Sequence, residues 1–460
     1  MKRIVLLFLV LSGMWIPVSA VSIHVPQQYT AIQDAINASI NGDTISVSPG
    51  IYSGRVNFLG HRVLLTSEDG PDSTIITTAP DSLPLIRFYT GEDSTTILRG
   101  FTIRGGTGVA IGCLYSGPII ESNIIEDNTN YGHYSQNFDG AGLYASQATC
   151  VIRNNIFRRN VSPGSGGGIA ILNSSGIVIS GNTFISNEAV SYGGAIKLYE
   201  ASNTLIEGNV IVGNHGDEGG GGISMTLGGH NLLINNTFDS DTGNGGSAVA
   251  LMNTDYNLIK NNIMTSNNPD FGIKKAWGIP FSDTVIYNAF FDNAPGDVDS
   301  VFLGQGNIFA NPLFVDKANG IYHLMSNSPC INAGDPSSPL DPDGTRADMG
   351  PFYFNHFVGI GDPGTAIPRE FGLEQNYPNP FNTNTIIRFV VPEKELVSLN
   401  VFDIEGRLVA KLLDDLVDPG YHEIIWGGMD HKGNPLSSGV YFYDLNTGDK
   451  NISKKMLFLK

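Results

Sequence analysis

The heptapeptide GNTFISN, at residues 181–187, decides the fold of this chain because close copies of it recur at a nearly fixed distance. In each copy an asparagine is followed two residues later by an apolar residue and, in all copies but one, three residues further by a second asparagine. Successive first asparagines lie 32, 27, 27, 27, 26 and 26 residues apart. Such a period predicts a solenoid, in which each coil buries its apolar face by stacking on the next. The first asparagines are Asn123, Asn155, Asn182, Asn209, Asn236, Asn262 and Asn288.

The residues around these asparagines predict three short strands in each coil. Apolar residues three positions before and two positions after each first asparagine define two strands, and glycine pairs such as Gly193–Gly194 precede a third. The apolar positions alternate with a period of two and the glycines would interrupt helices, so helical repeats are excluded. We therefore predict an all-β parallel β-helix. Its inward column should include Phe157, Phe184, Ile211 and Phe238.

Asparagine suits the corner between two strands for two reasons. It tolerates the left-handed backbone conformation that tight corners require. Its amide also carries two donors and two acceptor lone pairs, so stacked asparagines can bond to corner backbone groups and to one another. We predict one continuous ladder of asparagine side chains along the coils.

Charge and the N-terminal residues limit the partners and the location of the protein. The chain has 44 acidic and 26 basic residues and a net charge of −18, which argues against nucleic acid or an anionic membrane as a partner. Lys2 and Arg3, the apolar run 4–10 and a small-residue site ending at Ala20 predict a signal peptide over residues 1–20. The apolar run is too short to span a membrane. We expect an exported protein without a membrane span, and a monomer.

Two further features concern the ends of the solenoid and its cysteines. Thr30 is predicted to cap a short helix whose apolar residues share one face and cover the first coil. The three cysteines allow one disulfide at most, so the solenoid does not depend on a cystine framework. The apolar helix residues are Ile32, Ala35, Ile36 and Ile40, and the cysteines are Cys113, Cys150 and Cys330.

The repeats, the opening residues 41–45 (NGDTI) and the closing residues 328–334 (SPCINAG) resemble the right-handed parallel β-helix superfamily of pectate lyases and their non-enzymatic relatives. The resemblance covers roughly residues 22–355. It implies a groove along the sheet that begins at the glycine pairs, with walls formed by the loops that enter this sheet.

The end of the chain carries a second set of motifs, including QNYPNPFN at residues 375–382 and KMLFLK at residues 455–460. Residues 372–460 resemble the type A C-terminal sorting domain of the type IX secretion system, with Thr383 where that family usually has proline. This implies passage across a Gram-negative outer membrane, with the type IX machinery as partner, followed by removal or anchoring of the domain. Short alternating strands predict a small β-sandwich. The motif residues are Asn376, Pro378, Asn379, Pro380, Phe381, Gly406, Arg407 and Lys460.

The predicted organisation follows from these segments. A signal peptide at 1–20 precedes a β-helix with an N-terminal helical cap at 21–355. A Gly/Pro-rich linker at 356–371 leads to the sorting domain at 372–460.

The resemblance places candidate functional residues on the third strands and in their loops. A β-elimination needs a base near a uronate and a cation for its carboxylate, and Lys197 with the nearby acids supplies both in outline. A polar, solvated face is the alternative. The outward residues are Tyr144, Ala170, Lys197, Ser224 and Ala250, and the loops add His133, Tyr134, Asp139, Glu188, Tyr192, His215, Asp217 and Glu218. The candidate glycan-binding residues are Tyr144, Tyr192 and Tyr199.

Two other motifs favour structural roles. Residues 253–255 (NTD) copy part of a polygalacturonase signature, but they fall where other repeats carry a turn. Asp341, Asp343 and Asp348 surround Gly344 as in a truncated calcium loop, although most EF-hand ligands are missing. A turn held by Arg346 is favoured, and calcium stays a candidate cofactor.

The early coils carry charges that alternate in sign between equivalent positions. Stacking at ~4.8 Å per coil would bring them together as ion-pair ladders, so this surface should neutralise itself. The two predicted ladders are Arg99, Glu121 and Arg153, and Arg104, Glu126 and Arg158.

Three functional hypotheses remain open. The first is an exported extracellular or cell-surface β-helix protein that binds glycans or other surfaces through its long sheet faces. The second is a polysaccharide lyase or glycoside hydrolase that uses the groove. The third is a purely structural surface rod. The small outward residues and the lack of a lyase motif favour the first.

Overall fold

A computed structural model of the chain describes residues 20–77, 83–131, 139–278, 282–354, 371–376, 379, 381, 385–417, 419–431 and 434–458. These residues form two compact units. The first unit extends to Asp335 and includes Met349–Phe352, and the second comprises Pro336–Asp348 and the chain from Tyr353 onwards. All but one residue of the predicted linker lies outside the described residues.

The first unit is a right-handed parallel β-helix, as predicted. Its strands stack coil upon coil in long parallel sheets. Sheet 1, which precedes the asparagine corner, has 11 strands. They are Ser22–Val25, Thr44–Val47, Leu64–Ser67, Ile97–Arg99, Ile119–Glu121, Val151–Arg153, Val178–Ser180, Leu205–Glu207, Leu232–Ile234, Leu258–Lys260 and Thr284–Ile286.

Sheet 2 follows the asparagine corner and also has 11 strands. Its inward residues confirm the predicted apolar column: Phe157 pairs with Phe184, Phe184 with Ile211, and Ile211 with Phe238. The strands are Gly50–Ser53, Thr74–Thr77, Thr102–Arg104, Ile124–Glu126, Ile156–Arg158, Thr183–Ile185, Val210–Val212, Thr237–Asp239, Ile263–Thr265, Ala289–Phe291 and Ile308–Phe309.

Sheet 3 begins at the predicted glycine pairs and has 10 strands. They are Val56–Asn57, Ile86–Phe88, Ile111–Leu114, Leu143–Ser146, Ile169–Leu172, Ile196–Ser202, Ile223–Gly229, Val249–Met252, Ile273–Trp277 and Val298–Asp299. The central coils also contain a fourth strand of two residues, which the three-strand prediction missed. These short strands form sheet 4 and are Val161–Ser162, Glu188–Ala189, His215–Gly216, Thr242–Gly243 and Asn268–Pro269.

The first asparagines form the predicted ladder, fully inside the protein. The Nδ2 of Asn182 donates to the Oδ1 of Asn209 at 3.1 Å and to the carbonyl of Ile152 at 2.8 Å. The backbone N–H of Asn182 donates to the same Oδ1 at 2.8 Å. This pattern continues to Asn307, beyond the last asparagine of the repeat, whose Oδ1 accepts from Asn288 at 3.2 Å.

The second asparagines form a parallel ladder that contains one acid. The Nδ2 of Asn214 donates to the Oδ1 of Asp241 at 2.9 Å, and the backbone N–H of Asp241 donates to the Oδ1 of Asn267 at 3.0 Å. The Oδ2 of Asp241, which takes the place of the amide nitrogen, has no hydrogen-bond partner among the described residues. Because this carboxyl is fully buried, its pKa is raised well above the ordinary value.

The corner geometry corrects one detail of the prediction. The left-handed residue is the one before each ladder asparagine, such as Asn154 before Asn155 or Gly181 before Asn182. The ladder asparagine contributes its hydrogen bonds, not its tolerance of positive φ. A third ladder, not foreseen from the sequence, joins Thr204, Asn231, Asn257 and Asp283 at the corner between sheets 3 and 1.

The N-terminal helix also differs from the prediction. It spans Ile32–Ala38 and begins after Ala31, with no side-chain cap, so the expected capping role of Thr30 is wrong. Ile40 lies beyond the helix and is exposed. Ile32, Ala35 and Ile36 are buried in the main core, as expected for a covering helix.

The predicted ion-pair ladders are confirmed. Glu121 bonds to both neighbours, with its Oε1 2.6 Å from the Nε of Arg99 and its Oε2 2.7 Å from the Nε of Arg153. Glu126 lies between Arg104, at 3.9 Å, and Arg158, at 2.7 Å. Every arginine of the two ladders therefore faces an acid, but four arginines share two glutamates, so the predicted neutralisation of this surface is incomplete.

A closing segment, residues 310–335 with Met349–Phe352, folds back over the outer side of sheet 2. It contains the hairpin strands Phe314–Asp316 and Ile321–Leu324 and a 3-10 turn at Lys317–Asn319. Asp239 receives a hydrogen bond of 2.8 Å from the Tyr322 hydroxyl and an ion pair of 2.6 Å from Lys317. The next coil is held twice: Lys260 pairs with Asp335 at 3.0 Å, and the Gly350 N–H donates to the carbonyl of Asn261 at 2.7 Å.

The second unit contains two antiparallel sheets around one apolar core, in agreement with the predicted sandwich. The three-stranded sheet contains Gly372–Leu373, Thr385–Val391 and Gly420–Trp426. The four-stranded sheet contains Leu408–Val417, Glu395–Asp403, Gly439–Asn446 and Asn451–Phe458.

Asp241→Asn should stabilise the first unit at neutral pH. The folded pKa of Asp241 is raised, so its contribution to stability is complete below about pH 4, the unfolded pKa, and is lost as pH rises towards the folded pKa. Asparagine supplies the missing amide donor, and we expect a gain of about 1–3 kcal/mol near pH 7 that disappears near pH 4. Urea unfolding at both pH values measures it.

Asp239→Asn is the matched control, since Asp239 is also buried but is paired with Lys317 and Tyr322. This variant should lose stability near pH 7. If Asp241→Asn is less stable than the wild type at neutral pH, the raised pKa of the Asp241 carboxyl does not destabilise the fold there, and the prediction is wrong.

Candidate functional site

The outer face of sheet 3 presents two columns of outward side chains, which define the groove face. Strand register fixes both columns, because every second residue of each strand points outward. The first column contains Gly112, Tyr144, Ala170, Lys197, Ser224, Ala250 and Lys274. The second column contains Leu114, Ser146, Leu172, Tyr199, Thr226, Met252 and Trp277.

The predicted outward residues are in the first column, but most of them are covered. Ala170, Ser224 and Ala250 are fully buried. The glycine turns that enter sheet 3 fold back over this column: a Cβ added at Gly166 would lie 2.8 Å from the Cβ of Ala170. The glycines therefore permit a close approach that leaves little of the first column open to a ligand.

Lys197 is the most unusual residue of this face. It is only 3% exposed, its ammonium lies 4.5 Å from the centre of the Tyr192 ring, and it donates to the hydroxyls of Ser224 and Thr226. Burial lowers the pKa of Lys197 to about 7, against the opposing effect of the Asp139 carboxylate. The Lys197 ammonium therefore loses its proton near neutral pH.

Asp139 and Tyr144 border the same region. Burial raises the pKa of Asp139, whose Oδ1 accepts from the Ser165 N–H at 3.0 Å. Burial also raises the pKa of Tyr144, and the Asp139 charge adds to the shift. Tyr144 is partly exposed in the first column, two coils before Lys197.

Tyr192 covers Lys197 and connects it to the loop acids. Burial raises the pKa of Tyr192, and a side-chain hydrogen bond to Glu218 raises it further. Glu218 itself is exposed. Of the candidate catalytic residues, Lys197 and Glu218 thus contact Tyr192, and Asp139 interacts electrostatically with Lys197.

The remaining acids and the histidine form a separate cluster on sheet 4. Glu188 and His215 are neighbours in successive coils. The Nε2 of His215 lies 2.7 Å from the Oδ1 of Asp217, and its Nδ1 lies 2.8 Å from the Oγ1 of Thr242. The structure therefore divides the predicted catalytic set into two groups. The candidates His133 and Tyr134 lie outside the described residues.

Trp277 belongs to the groove face and was missed in the sequence. It occupies the second column, three coils after Tyr199, and is 60% exposed. A register shift beside Met252 places Trp277 one residue later than the repeat predicts. The repeat length alone places Ala276 in this column. The only signal in the sequence was therefore the presence of a tryptophan next to that position.

The two other motifs lie in turns. Asp255 receives hydrogen bonds from Lys275 at 2.7 Å and Ser282 at 2.6 Å. Asp341 accepts from the Asp348 N–H at 3.0 Å, and Asp348 accepts from the Phe354 N–H at 2.5 Å.

The third aspartate of the candidate calcium loop, Asp343, accepts from the Thr345 N–H at 3.0 Å. These carboxylates therefore bond to their own loop. Among the described residues, no group of three or more His, Cys, Asp or Glu side chains is arranged to hold a metal ion.

The predicted sorting residues occupy structural positions in the second unit. The Nδ2 of Asn376 donates to Thr385 at 2.9 Å, and the Oδ1 of Asn379 accepts from the Leu457 N–H at 2.8 Å. Phe381 is buried against Trp426 and Phe458.

The turn before the strand Leu408–Val417 contains the other described motif residues. Gly406 has a φ of 78°, and the Nε of Arg407 lies 2.6 Å from Asp403. Pro378, Pro380 and Lys460 lie outside the described residues.

Comparison with known families places the coils and the C-terminal region. The model of the periplasmic copper-binding protein (NosD) family matches residues 36–241 and 139–299, more than half of the chain. The chain therefore belongs to the NosD family. The secretion system C-terminal sorting domain matches residues 375–458, which identifies an exported protein of the type IX system. No curated protein sequence matches the chain.

Several solved structures are similar. PorU from Porphyromonas gingivalis is 22% identical over 21% of this chain and 10% of its own, with a TM-score of 0.17, so the chain spans about a tenth of it. XylC in complex with xylose is 11% identical over 84% of this chain and 67% of its own, with a TM-score of 0.36. Pectin methylesterase PemA from Erwinia chrysanthemi is 10% identical over 62% of this chain and 80% of its own, with a TM-score of 0.26. No described helix is long and apolar enough to cross a membrane.

Proposed function

We propose that the protein is exported through the type IX system and binds glycans along the groove face, outside the cell or on its surface. The observation that carries this proposal is the second column of sheet 3, where Tyr199 and the exposed Trp277 point outward from one sheet. Indole and phenol rings offer a flat apolar face and a polar edge, which suits a pyranose ring with its C–H faces and hydroxyls. Tyr144 and Tyr192 extend the aromatic surface.

The fold suits a long ligand better than a small one. Tyr199 and Trp277 are separated by three coils, about 14 Å at ~4.8 Å per coil, so one molecule that contacts both must be extended. A polysaccharide segment has that form. The glycan and the monomeric state are part of this proposal, as are signal-peptide cleavage after Ala20 and later removal or anchoring of the tail.

A polysaccharide lyase or glycoside hydrolase is the second candidate, and one observation favours it. Lys197 has a pKa of about 7, which suits a general base near neutral pH. However, Lys197 lies beneath Tyr192 with two hydroxyl partners, and Glu188, His215 and Asp217 form another cluster. Binding without turnover is therefore the function that this geometry supports best.

Copper is suggested only by the name of the NosD family, the periplasmic copper-binding proteins. The residues that the structure describes do not fit a copper site. Copper sites use imidazole and sulfur ligands that converge on one point. Here Cys113 and Cys150 are buried in the apolar core, and both ring nitrogens of His215 are bonded to other side chains. No described cluster supplies three such ligands. We assign no role to copper.

Removal of the exposed aromatic residues should weaken glycan retention. We expect Trp277→Ala and Tyr199→Ala each to raise the Kd for a bound polysaccharide about tenfold, because each removes a stacking surface. A glycan array identifies the polysaccharide, and affinity electrophoresis measures the change. Tyr256→Ala is the matched control, since Tyr256 is 62% exposed but lies outside sheet 3. Equal losses in all three variants would contradict the assigned face.

The enzyme alternative has a distinct test with polygalacturonate and added calcium. We expect no unsaturated uronate product, measured by ultraviolet absorbance. An enzyme with Lys197 as base would instead gain activity as pH rises through about 7, where Lys197 loses its proton, and would lose it in Lys197→Ala and on chelation. Lys274→Ala, in the same column but paired with Asp270, is the control. Product formation with this pattern would replace the binding proposal.

The export assignment predicts the fate of a shortened chain. A protein that ends near residue 365 lacks the sorting domain and should accumulate in the periplasm of a host with a type IX system. Immunoblots of periplasm and medium measure the distribution. Secretion of the shortened chain as efficiently as the full chain would exclude a sorting role for residues 372–460.

A further inference from the structure

A cleft lies at the corner between sheets 3 and 1, where the strands Ile111–Leu114 and Leu143–Ser146 of sheet 3 end. Its volume is about 550 Å³, which is within the usual size of a small-ligand site. Tyr115, which follows the strand Ile111–Leu114, is 70% exposed beside it. The lining residues are Glu92, Asp93, Ser94, Tyr115, Ser116, Gly117, Gln147 and Thr149.

The backbone presents Tyr115 and Gln147 side by side. Both occupy the left-handed position of successive coils, with φ values of 50° and 51°. The Tyr115 N–H donates to the carbonyl of Ser146 at 3.1 Å, which fixes the offset between the two corners. A bulky aromatic residue is uncommon at positive φ, so the phenol ring is held outward at a conformational cost.

The floor of the cleft depends on one glycine. A Cβ added at Gly117 would lie 2.5 Å from the Oγ1 of Thr149, and the Gly117 N–H donates to the carbonyl of Glu92 at 2.6 Å. Thr149 and Gln147 are exposed, as is Ser94. A hydroxyl, an amide and a second hydroxyl therefore line the cleft together with Tyr115.

The acids of the cleft are already engaged by the protein. The Glu92 carboxylate accepts from the N–H groups of Gly60 and Thr90, each at 2.9 Å. Asp93 accepts from the Thr95 N–H at 2.9 Å and pairs with Arg62 at 2.9 Å. The groups left to meet a ligand are uncharged donors and acceptors.

We propose that this cleft binds one uncharged pyranose unit, stacked on Tyr115 and hydrogen-bonded by Gln147, Ser94 and Thr149. A sugar ring offers an apolar C–H face to the phenol and hydroxyls to the amide and hydroxyl groups around it. The described residues that line the cleft include no Lys, Arg or His, so an anionic sugar gains no ion pair from them. This site lies at the corner, six coils before Trp277, and takes a single sugar residue, such as a chain end or a branch.

The test uses the full exported protein with methyl glycosides of glucose, galactose, mannose and xylose, and with methyl glucuronide as the charged probe. Saturation-transfer NMR and calorimetry should show at least one neutral glycoside binding with a millimolar Kd. Tyr115→Ala should weaken that binding about tenfold or more, whereas Tyr115→Phe should retain it because the ring is kept. Gln147→Ala should weaken it less.

Two controls separate this site from others. Tyr256→Ala should leave glycoside binding unchanged, although Tyr256 is also exposed at positive φ. The Tyr115 and Gln147 variants are also made in a Trp277→Ala background, in which glycoside contact with that ring is absent, so loss of binding by the groove face and loss of this site are distinguishable.

The proposal is overturned by any of three results. One is that no neutral glycoside binds. Another is that binding survives in Tyr115→Ala, with an unchanged thermal transition to show that the variant is folded. The last is that the glucuronide binds as tightly as its neutral counterpart.

Discussion

The hydrogen bond between one asparagine amide and the next is the interaction on which this protein depends. In the first ladder, from Asn123 to Asn288, each Nδ2 bonds to the side chain of the following coil and to a backbone carbonyl of the preceding one, as Asn182 does with Asn209 and Ile152. Three consecutive coils are thereby fixed at one corner, inside a core that excludes water. Because the corner cannot slip, the sheets on either side keep their register, and outward residues from different coils fall into straight columns.

Much of this architecture could be predicted because it is periodic. The two ladders, the inward column through Phe157 and Phe184 and the alternation of Arg99, Glu121 and Arg153 all repeat at the coil length. Features that break the period escaped prediction. Sheet 4 consists of strands of two residues, too short for any alternation, and the third ladder mixes Thr204 with later asparagines and an aspartate.

The candidate site was harder to predict because the side of a sheet on which a residue lies does not determine whether that residue is exposed. The alternation of side chains along the strand correctly placed Ala170 and Lys197 on the outer side of sheet 3, but the turn at Gly166 covers that side. Loop contacts of this kind depend on the local path of the chain and leave no repeat in the sequence. Trp277 was lost for the opposite reason, since one shift of register beside Met252 moved it off the expected count.

The closing segment changes how the stack can come apart. In a linear array of repeats the terminal coil has a neighbour on one side only, so unfolding tends to start there and advance coil by coil. Here the segment after the last coil contacts Asp239, Asn261 and Lys260, which belong to two earlier coils, and packs on Ala289 in a third. Opening the end therefore requires release of all three at once. The end of the stack is therefore expected to unfold in one cooperative step instead of coil by coil. For an exported protein, this reduces the population of partly unfolded ends that extracellular proteases can cleave.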